Sequence, residues 1–472
     1  MNNKSKTIAS WIIPIMVGVI IAVLPVPAGL STQAWYLLAI FLSTIIGFIM
    51  QPLPIGAIAL ISITITQLAN VLKPSQALAG FGNSSIWLIV AAFLFAKSFI
   101  KTGLGRRIAF WLITKMGTST LKLAYTIILS DLIISPATPS NAARAGGILF
   151  PIVRGLASAF DSEPNKNPRR VGAFLIQAEY QGNTVTSAMF MTAMAGNPLA
   201  ILLASQALGI NMSWGTWALA AIVPGLIALA VIPYYLYKVY PPELKKTPEA
   251  QALAQQELAE MGPISYAEKA VAFIFVGALL LWSTSNLTGL NATVVALLGV
   301  SSMLVTKILS WQDVLDEKGA WDTLVWMGTL VGLAGQLAKS GVIDWMSGHI
   351  SSALVGVSWL ATLVILLLIY FYIHYGFASL TAHITALYST FITIAVAAGA
   401  PAYLAVLVFA FAFASNLCMS LTHYAAAPAP IYFGAGYVPQ STWWKLGFQV
   451  SVINIVIWFG IGSVWWKVLG LW

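Results

Sequence analysis

Arg144 and His383 are the residues with the most obvious chemistry, because each stands almost alone among apolar and small neighbours. Each follows a short polar string: Ser140 and Asn141 precede Arg144, and Ser379 and Thr381 precede His383. Serine and asparagine are good helix N-caps. The free N–H groups and positive dipole end of a helix so capped hold a carboxylate well. A guanidinium adds two parallel hydrogen bonds to one carboxylate. Together these groups describe a site for a small dianion. Two other readings stand beside it. Each string alone is also what a capped helix break looks like, and Asp131 is placed to pair with Arg144 across an antiparallel hairpin, which would remove the charge from any ligand.

Two further polar stretches follow at 180–198 and 415–437. Asn183, Thr184, Thr186 and Ser187 supply amides and hydroxyls in the first; Asn416, Ser420, Thr422 and His423 do so in the second. Pro198, Pro428 and Pro430 prevent helices from closing across these gaps. Ser and Thr also pack helices together in membranes, so hydroxyls alone do not define a site. The substrate-binding set expected is Ser140, Asn141, Arg144, Asn183, Thr184, Ser187, Ser379, Thr381, His383, Thr422 and His423, with no metal ligand and no cofactor. His374 and His423 also read as satisfied core histidines, and Glu179 as either a proton-coupling group or an acid paired with a base. Asp313, Asp316 and Glu317 read as an ordinary loop. The chain has no HExxH, GxSxG or phosphate-binding glycine loop, so no enzyme motif is present. Its single cysteine, Cys418, excludes an internal disulfide and a Cys-based metal cluster.

The elements that must position these residues are membrane helices. The 472 residues are 59% hydrophobic and only 8% charged, against about 25% charged in soluble domains. Apolar runs of the roughly 20 residues that cross a bilayer recur from Ile8 to Trp472, enough for about eleven crossings. The run from Ile8 to Leu24, interrupted by Pro14, reads as a first membrane helix rather than a cleaved leader. The arms 121–135 and 141–160 look too short to cross singly, and Pro136 and Pro139 forbid one helix through both, so they read as a re-entrant hairpin. Irregular backbone at that depth needs protein or a water-filled cavity around it.

A weak internal repeat links the halves. "IKTGL" at 100–104 matches "AKSGV" at 338–342, and "PSNAAR" at 139–144 falls on "ASLTAH" at 378–383, a shift of 238 to 239. Arg144 and His383 are mates at that shift. With the N-terminus cytoplasmic, eighteen Lys and Arg lie inside and three outside, a strong positive-inside bias that makes the copies inverted. Inverted repeats are the recurring plan of secondary transporters. The expected fold is therefore an all-α polytopic membrane protein of about eleven transmembrane helices, an inverted repeat with two re-entrant hairpins and broken helices. The expected divisions are 1–32, an N-terminal helix; 33–238, a first repeat with hairpin 121–160 and broken helix 170–210; 239–269, a cytoplasmic linker; and 270–472, a second repeat with hairpin 357–398 and broken helix 402–438. The C-terminus then lies outside.

The strings "SNAARAGGILFPI" (140–152), "QGNTVTSAMFMTAMAGNPL" (181–199), "SLTAHITALY" (379–388) and "LTHYAAAPAPIYFGAGYV" (421–438) resemble the divalent anion:sodium symporter family over essentially the full length. The likeness is greatest to its branch of plastid 2-oxoglutarate/malate translocators and bacterial citrate/succinate and tartrate/succinate antiporters. The resemblance implies eleven helices, two hairpins, a homodimer, an elevator-like movement and carboxylates held at Ser-Asn-Thr motifs on the hairpin tips. Here those motifs read Ser140-Asn141-Ala142 and Ser379-Leu380-Thr381, so one hydroxyl and one amide of the sodium-coupled pattern are missing.

These readings lead to a dicarboxylate exchanger of the 2-oxoglutarate, malate, succinate and fumarate class in which fixed protein cations replace sodium. Its expected partners are these di- or tricarboxylates and membrane lipid, with no nucleic acid. It is placed in a bacterial plasma membrane because no transit-like segment precedes Ile8. Rival readings are a sodium- or proton-coupled symporter, an intramembrane enzyme using His383, His423 and Glu179, and an anion channel.

Overall fold

A computed structural model describes residues 3–342, 345, 358–401 and 405–472. Residue 357, which opens the expected second hairpin, and residues 402–404, which open the expected second broken helix, lie outside the described residues. The described chain is helical throughout; its β-type pairing is two isolated bridges, Ser119 with Lys246 and Glu163 with Lys166.

Among the described residues, eight helices are long and apolar enough to span a bilayer by length and composition, and four shorter apolar ones accompany them. Their outer faces carry large apolar side chains, such as Phe273, Val305 and Val464. Such a surface is stable in lipid rather than in water.

Local chemistry sets the boundaries. Helix α1 spans Asn3–Val23 and packs on α2, Thr32–Met50. Ser31 caps α2 by accepting from the Ala34 N–H, and Gln51, in the left-handed region at φ 45°, ends it just before Pro52. Then comes α3, Ile55–Leu68. Asn83 caps α4, Ser84–Thr102, which stops at the left-handed Gly103. Next is α5, Leu104–Met116. In the second half, α12 (Tyr266–Ser283) and α13 (Ala292–Val305) repeat the succession of α2 and α3. The turns that leave α3 and α13 share one geometry. Asn70 and Lys307 both have positive φ, and the next two N–H groups return to Thr66 O in one and Met303 O in the other. Weakly similar sequences thus fold to the same local structure twice.

The first hairpin comprises α6, Thr120–Ile134, a 3₁₀ turn at Ser135–Ala137, a π-helical arm at Ala142–Leu149 and α7, Phe150–Ala159. With its 3₁₀ turn, the first arm forms an 18-residue apolar helix, Thr120–Ala137, longer than the sequence suggests. The chain still reverses where expected, between Pro136 and Asn141.

The polar stretches differ more from expectation. Residues 183–187 belong to an uninterrupted helix, α8, Gly172–Met189, and the break falls later, at 190–195, before α9, Gly196–Leu208. Nothing between Tyr180 and Met189 stops the intrahelical ladder; the helix-breaking Pro198 comes only afterwards. Every residue of α8 is buried, so this polar helix runs through the interior. Helix α10, Trp214–Val239, packs along it.

The linker forms α11, Glu249–Glu260, which is not simply solvent-facing: Ala250 and Ala254 are buried against α5. Charged clasps gather at this end. Arg106 pairs with Glu257, Arg107 with Glu268 at 2.5 Å, and Lys101 with Asp313 at 2.6 Å. Lys97 also reaches this charged end and lies 3.7 Å from Glu317. The remaining named elements are α14 (Lys318–Lys339), α15 (Trp359–Tyr372), α16 (Leu380–Ala397), α17 (Ala410–Leu417) and α18 (Gln440–Ile455).

Candidate functional site

Pro136 and Pro139 end the first arm and leave the carbonyls of the tip at the end of its helical ladder. Buried carbonyls need partners. Thr192 donates to Pro136 O at 2.6 Å, the Ala195 N–H to Pro139 O at 2.9 Å, and Arg144 Nη1 to Thr138 O at 2.8 Å. Arg144 also donates from Nη1 to Ala193 O at 2.9 Å, from Nη2 to Ser187 Oγ at 3.0 Å and Thr186 Oγ1 at 3.4 Å, and from Nε to Asp131 Oδ1 at 2.6 Å. A guanidinium has five N–H groups. All five are engaged. Of the two readings of Arg144, this structure contains the internal ion pair, with both side chains at 0% exposure. Asn183 and Thr186 complete the cage by donating to Asp131 Oδ2. Such a pair is costly to break singly, because the partner is left as a bare buried charge.

The second hairpin has the same frame with different chemistry. Ser140 accepts from the Ala143 N–H and Ser379 from the Ala382 N–H, so both serines are the caps expected. The mate of Asp131 at the 239-residue shift is Tyr370, whose ring lies 4.3 Å from the His383 ring and whose hydroxyl meets Ser415 at 2.7 Å. The symmetry is therefore one of position and not of charge. His383 instead pairs with His374, Nδ1 to Nδ1 at 2.8 Å, and Phe377 stacks on its ring at 5.1 Å. His374 Nε2 lies 2.8 Å from Ala425 O. A carbonyl only accepts, so His374 carries its proton on Nε2 and, when neutral, accepts at Nδ1. His383 must then donate from Nδ1, which leaves its Nε2 as a lone pair, buried and without a partner. The two basic groups do not flank one opening as symmetric cations. One is an ion-paired clamp and the other is half of a histidine pair.

What the structure brings together is the polar edge between the hairpins and the breaks. Asn141 lies 3.6 Å from Met419 Sδ, Gln181 donates to Ser420 O at 3.3 Å, and Asn416 donates to Asn197 Oδ1 at 2.7 Å. Tyr424 donates to Tyr375 O at 2.9 Å, tying the second break to the second tip. Ser140, Ser379 and Thr381 remain half-buried at the tips, whereas Arg144 and His383 are fully enclosed. Thr422 Oγ1 and Ser420 Oγ are buried donors without partners. Asn183 and Ser187 serve the arginine cage, Thr184 bonds back to Gln181 O within α8, and His423 accepts from Trp444 Nε1 at 3.0 Å. Asn197 and Gln181 were missed from sequence. Asn197 precedes Pro198, at the first position where a helix must restart, which is the signal that could have found it. A cavity of about 450 Å³ runs beside the first break, lined by Met191, Pro198 and Trp214 opposite Ser84, Ser85 and Asn291.

The chain is 49% identical over 472 residues to "Putative malate transporter YflS" of Bacillus subtilis (strain 168), covering 100% of this chain and 98% of that one. It is 44% identical to "Dicarboxylate transporter 1, chloroplastic" of Spinacia oleracea, over 99% of this chain and 83% of that one. It is 39% identical to "Inner membrane protein YbhI" of Escherichia coli (strain K12), over 100% and 99%. In fold it is similar to the structure titled "Crystal structure of the Alcanivorax borkumensis YdaH transporter reveals an unusual topology", at a TM-score of 0.55, 12% identity and coverage of 86% and 88%. The family model for the sodium:sulfate symporter transmembrane region matches residues 5–472, and the chain belongs to that family of multi-pass membrane transporters, not to the enzymes.

Proposed function

We propose that this protein carries dicarboxylates across the membrane by sodium-independent exchange. The observation that carries the reading is the convergence of the first hairpin tip and the two helix breaks, cross-linked by Asn141–Met419, Gln181–Ser420 and Asn197–Asn416, with the second tip tied to the second break by Tyr424–Tyr375. A dianion between the tips meets two helix N-termini and the free hydroxyls of Ser420 and Thr422. Relatives that share 44–49% of the sequence bear the names dicarboxylate and malate transporter. Ser140, Asn141, Ser379, Thr381 and Thr422 are the proposed substrate contacts. Asn183, Ser187 and Arg144 hold the first tip in shape, and Thr184, His383 and His423 are proposed to reach substrate only when the tips move.

Sodium independence rests on missing oxygens. Ala142 and Leu380 provide none at the tips, and Asp131, the buried carboxylate of the first hairpin, is engaged by Arg144. Exchange rests on a different ground from the bare cations the sequence suggested, because Asp131 already balances Arg144. Return without cargo leaves the Ser420 and Thr422 hydroxyls and the helix-end N–H groups without an anion, each at about 1–3 kcal/mol when buried. The mobile part is proposed to be the hairpins with their breaks, moving elevator-fashion against α2–α4 and α12–α14 in a homodimer. The positive-inside count supports a cytoplasmic N-terminus and a cytoplasmic clasp end.

Counterflow in proteoliposomes tests this. Labelled malate is expected to accumulate in vesicles preloaded with a dicarboxylate and not in substrate-free ones, equally with and without sodium. Strong net uptake into empty vesicles, or a strict sodium requirement, would refute exchange in favour of the coupled symporter.

A further inference from the structure

Glu179 takes no part in the contacts described so far. It lies on α8 one turn before Asn183 and two turns before Thr186, on the face that meets Asp131. The residue is 1% exposed, and neither carboxyl oxygen has a hydrogen-bond partner. Asp131 and Arg144 are its charged neighbours. The other titratable groups on the elements around it are uncharged or remote. The short helix Ala429–Gly434 presents Tyr432, which donates to Ala145 O, and the turn Cys418–Ser420 presents Cys418. Tyr180, on α8 itself, donates to Met419 O. On α10, Tyr237 packs near Phe174 at the start of α8, and Arg154 on α7 and Lys445 on α18 are exposed.

The charge count of this cluster is simple. Two carboxyls share one guanidinium, and Asp131 holds that guanidinium in direct contact with two further donors of its own. An ionised Glu179 would be a bare carboxylate at bilayer depth, with no donor to stabilise it. One bound proton makes the whole cluster neutral. A buried polar group left unpaired in the wall of a mobile element calls for such an explanation.

We propose that Glu179 is a proton-binding site of the carrier, and that the hairpins cross the membrane only while its carboxyl holds the proton. When the cluster opens to either side, the O–H bond breaks heterolytically, the electron pair stays on the carboxylate, and water or buffer takes the proton. Uptake is the reverse. The carboxylate so formed competes with Asp131 for the Arg144 guanidinium, which loosens the first tip and stops movement until a proton returns. This role rests on the carrier reading above but does not depend on which anion is carried.

The test uses the full-length protein and Glu179→Gln, which fixes the neutral form. In proteoliposomes, malate exchange is followed from neutral to alkaline pH, where malate stays a dianion. The wild-type rate is expected to fall with pH, by up to about tenfold per unit, the limit for one proton. The variant is expected to transport with a flat profile, and Glu179→Asp to retain the slope. Infrared spectra of the purified protein should show a protonated-carboxyl C=O band that moves in heavy water and is missing from Glu179→Gln. Equal slopes in wild type and Glu179→Gln, a flat wild-type profile, a monodisperse but inactive Glu179→Gln, or a wild type without that band each overturn the proposal. Should the wild type carry no malate at all, the dicarboxylate reading falls, and the infrared band alone decides the proton site.

Discussion

At the scale of single residues, Arg144 is a clamp before it is anything else. Its five donors hold Asp131, two side-chain hydroxyls, the Thr138 carbonyl of the tip and the Ala193 carbonyl of the first break. Removing one partner of such a buried pair typically costs about 3–5 kcal/mol, whereas removing both charges costs much less. Asp131→Asn and Arg144→Gln are each expected to lower the melting temperature in detergent sharply, and the double variant to recover much of the loss. Additive losses would show that the two charges act independently. Arg144→Gln also separates the two readings of the arginine. Malate affinity close to wild type in the folded protein is the expected result here; a sharp loss would mean that the guanidinium turns from Asp131 to the substrate. The presence of a cation was legible in the sequence, but its engagement depends on residues 13, 42 and 43 positions away, whose side-chain directions a linear reading does not give.

At the scale of elements, the breaks are held open by close backbone approach as much as by proline. Gly447 on α18 lies against the second break, and a Cβ built on it would stand 2.2 Å from Ser420 O. That contact cannot be relieved by turning a side chain. Gly447→Ala is expected to push α18 away from the Cys418–Ser420 turn, to destabilise the protein by about 1–3 kcal/mol, and to weaken malate binding by moving Ser420 and Thr422. Thermal unfolding read together with malate affinity checks both, and unchanged values in both would show that the turn is free to shift. The prolines allowed the breaks to be located only coarsely. Asn183, Thr184, Thr186 and Ser187 lie inside α8, because a polar helix is stable when every side of it is buried and its hydroxyls bond within the protein.

At the scale of the molecule, charge is segregated. The clasps of Lys101, Arg106 and Arg107 with Asp313, Glu257 and Glu268 fasten the linker and the loops to one end, and the apolar flanks leave the rest for lipid. The hydrogen bond from Lys101 and the Ser310 N–H lower the Asp313 carboxyl from its ordinary range to about 2. A depressed acid stabilises the fold fully above its unfolded value, near pH 4, and loses that contribution as pH falls toward its folded value. Both side chains are partly exposed, so the effect is about 1 kcal/mol or less. Asp313→Asn should therefore melt slightly below wild type at pH 7 and level with it near pH 2. An equal gap at both pH values would mean that the clasp contributes through packing and not through charge.

Composition alone determined that this chain lives in a membrane, because 8% charge over 472 residues leaves no soluble alternative. The paired serine caps were also legible, since caps are local and depend on neighbours a few residues away. What only the tertiary structure decided is which charges are free. The mate of Asp131 is a tyrosine, the mate of Arg144 is half of a histidine pair, and Glu179 is left with no partner. Net charge at a buried site is a sum over groups that converge from distant elements, and no single stretch of sequence contains that sum.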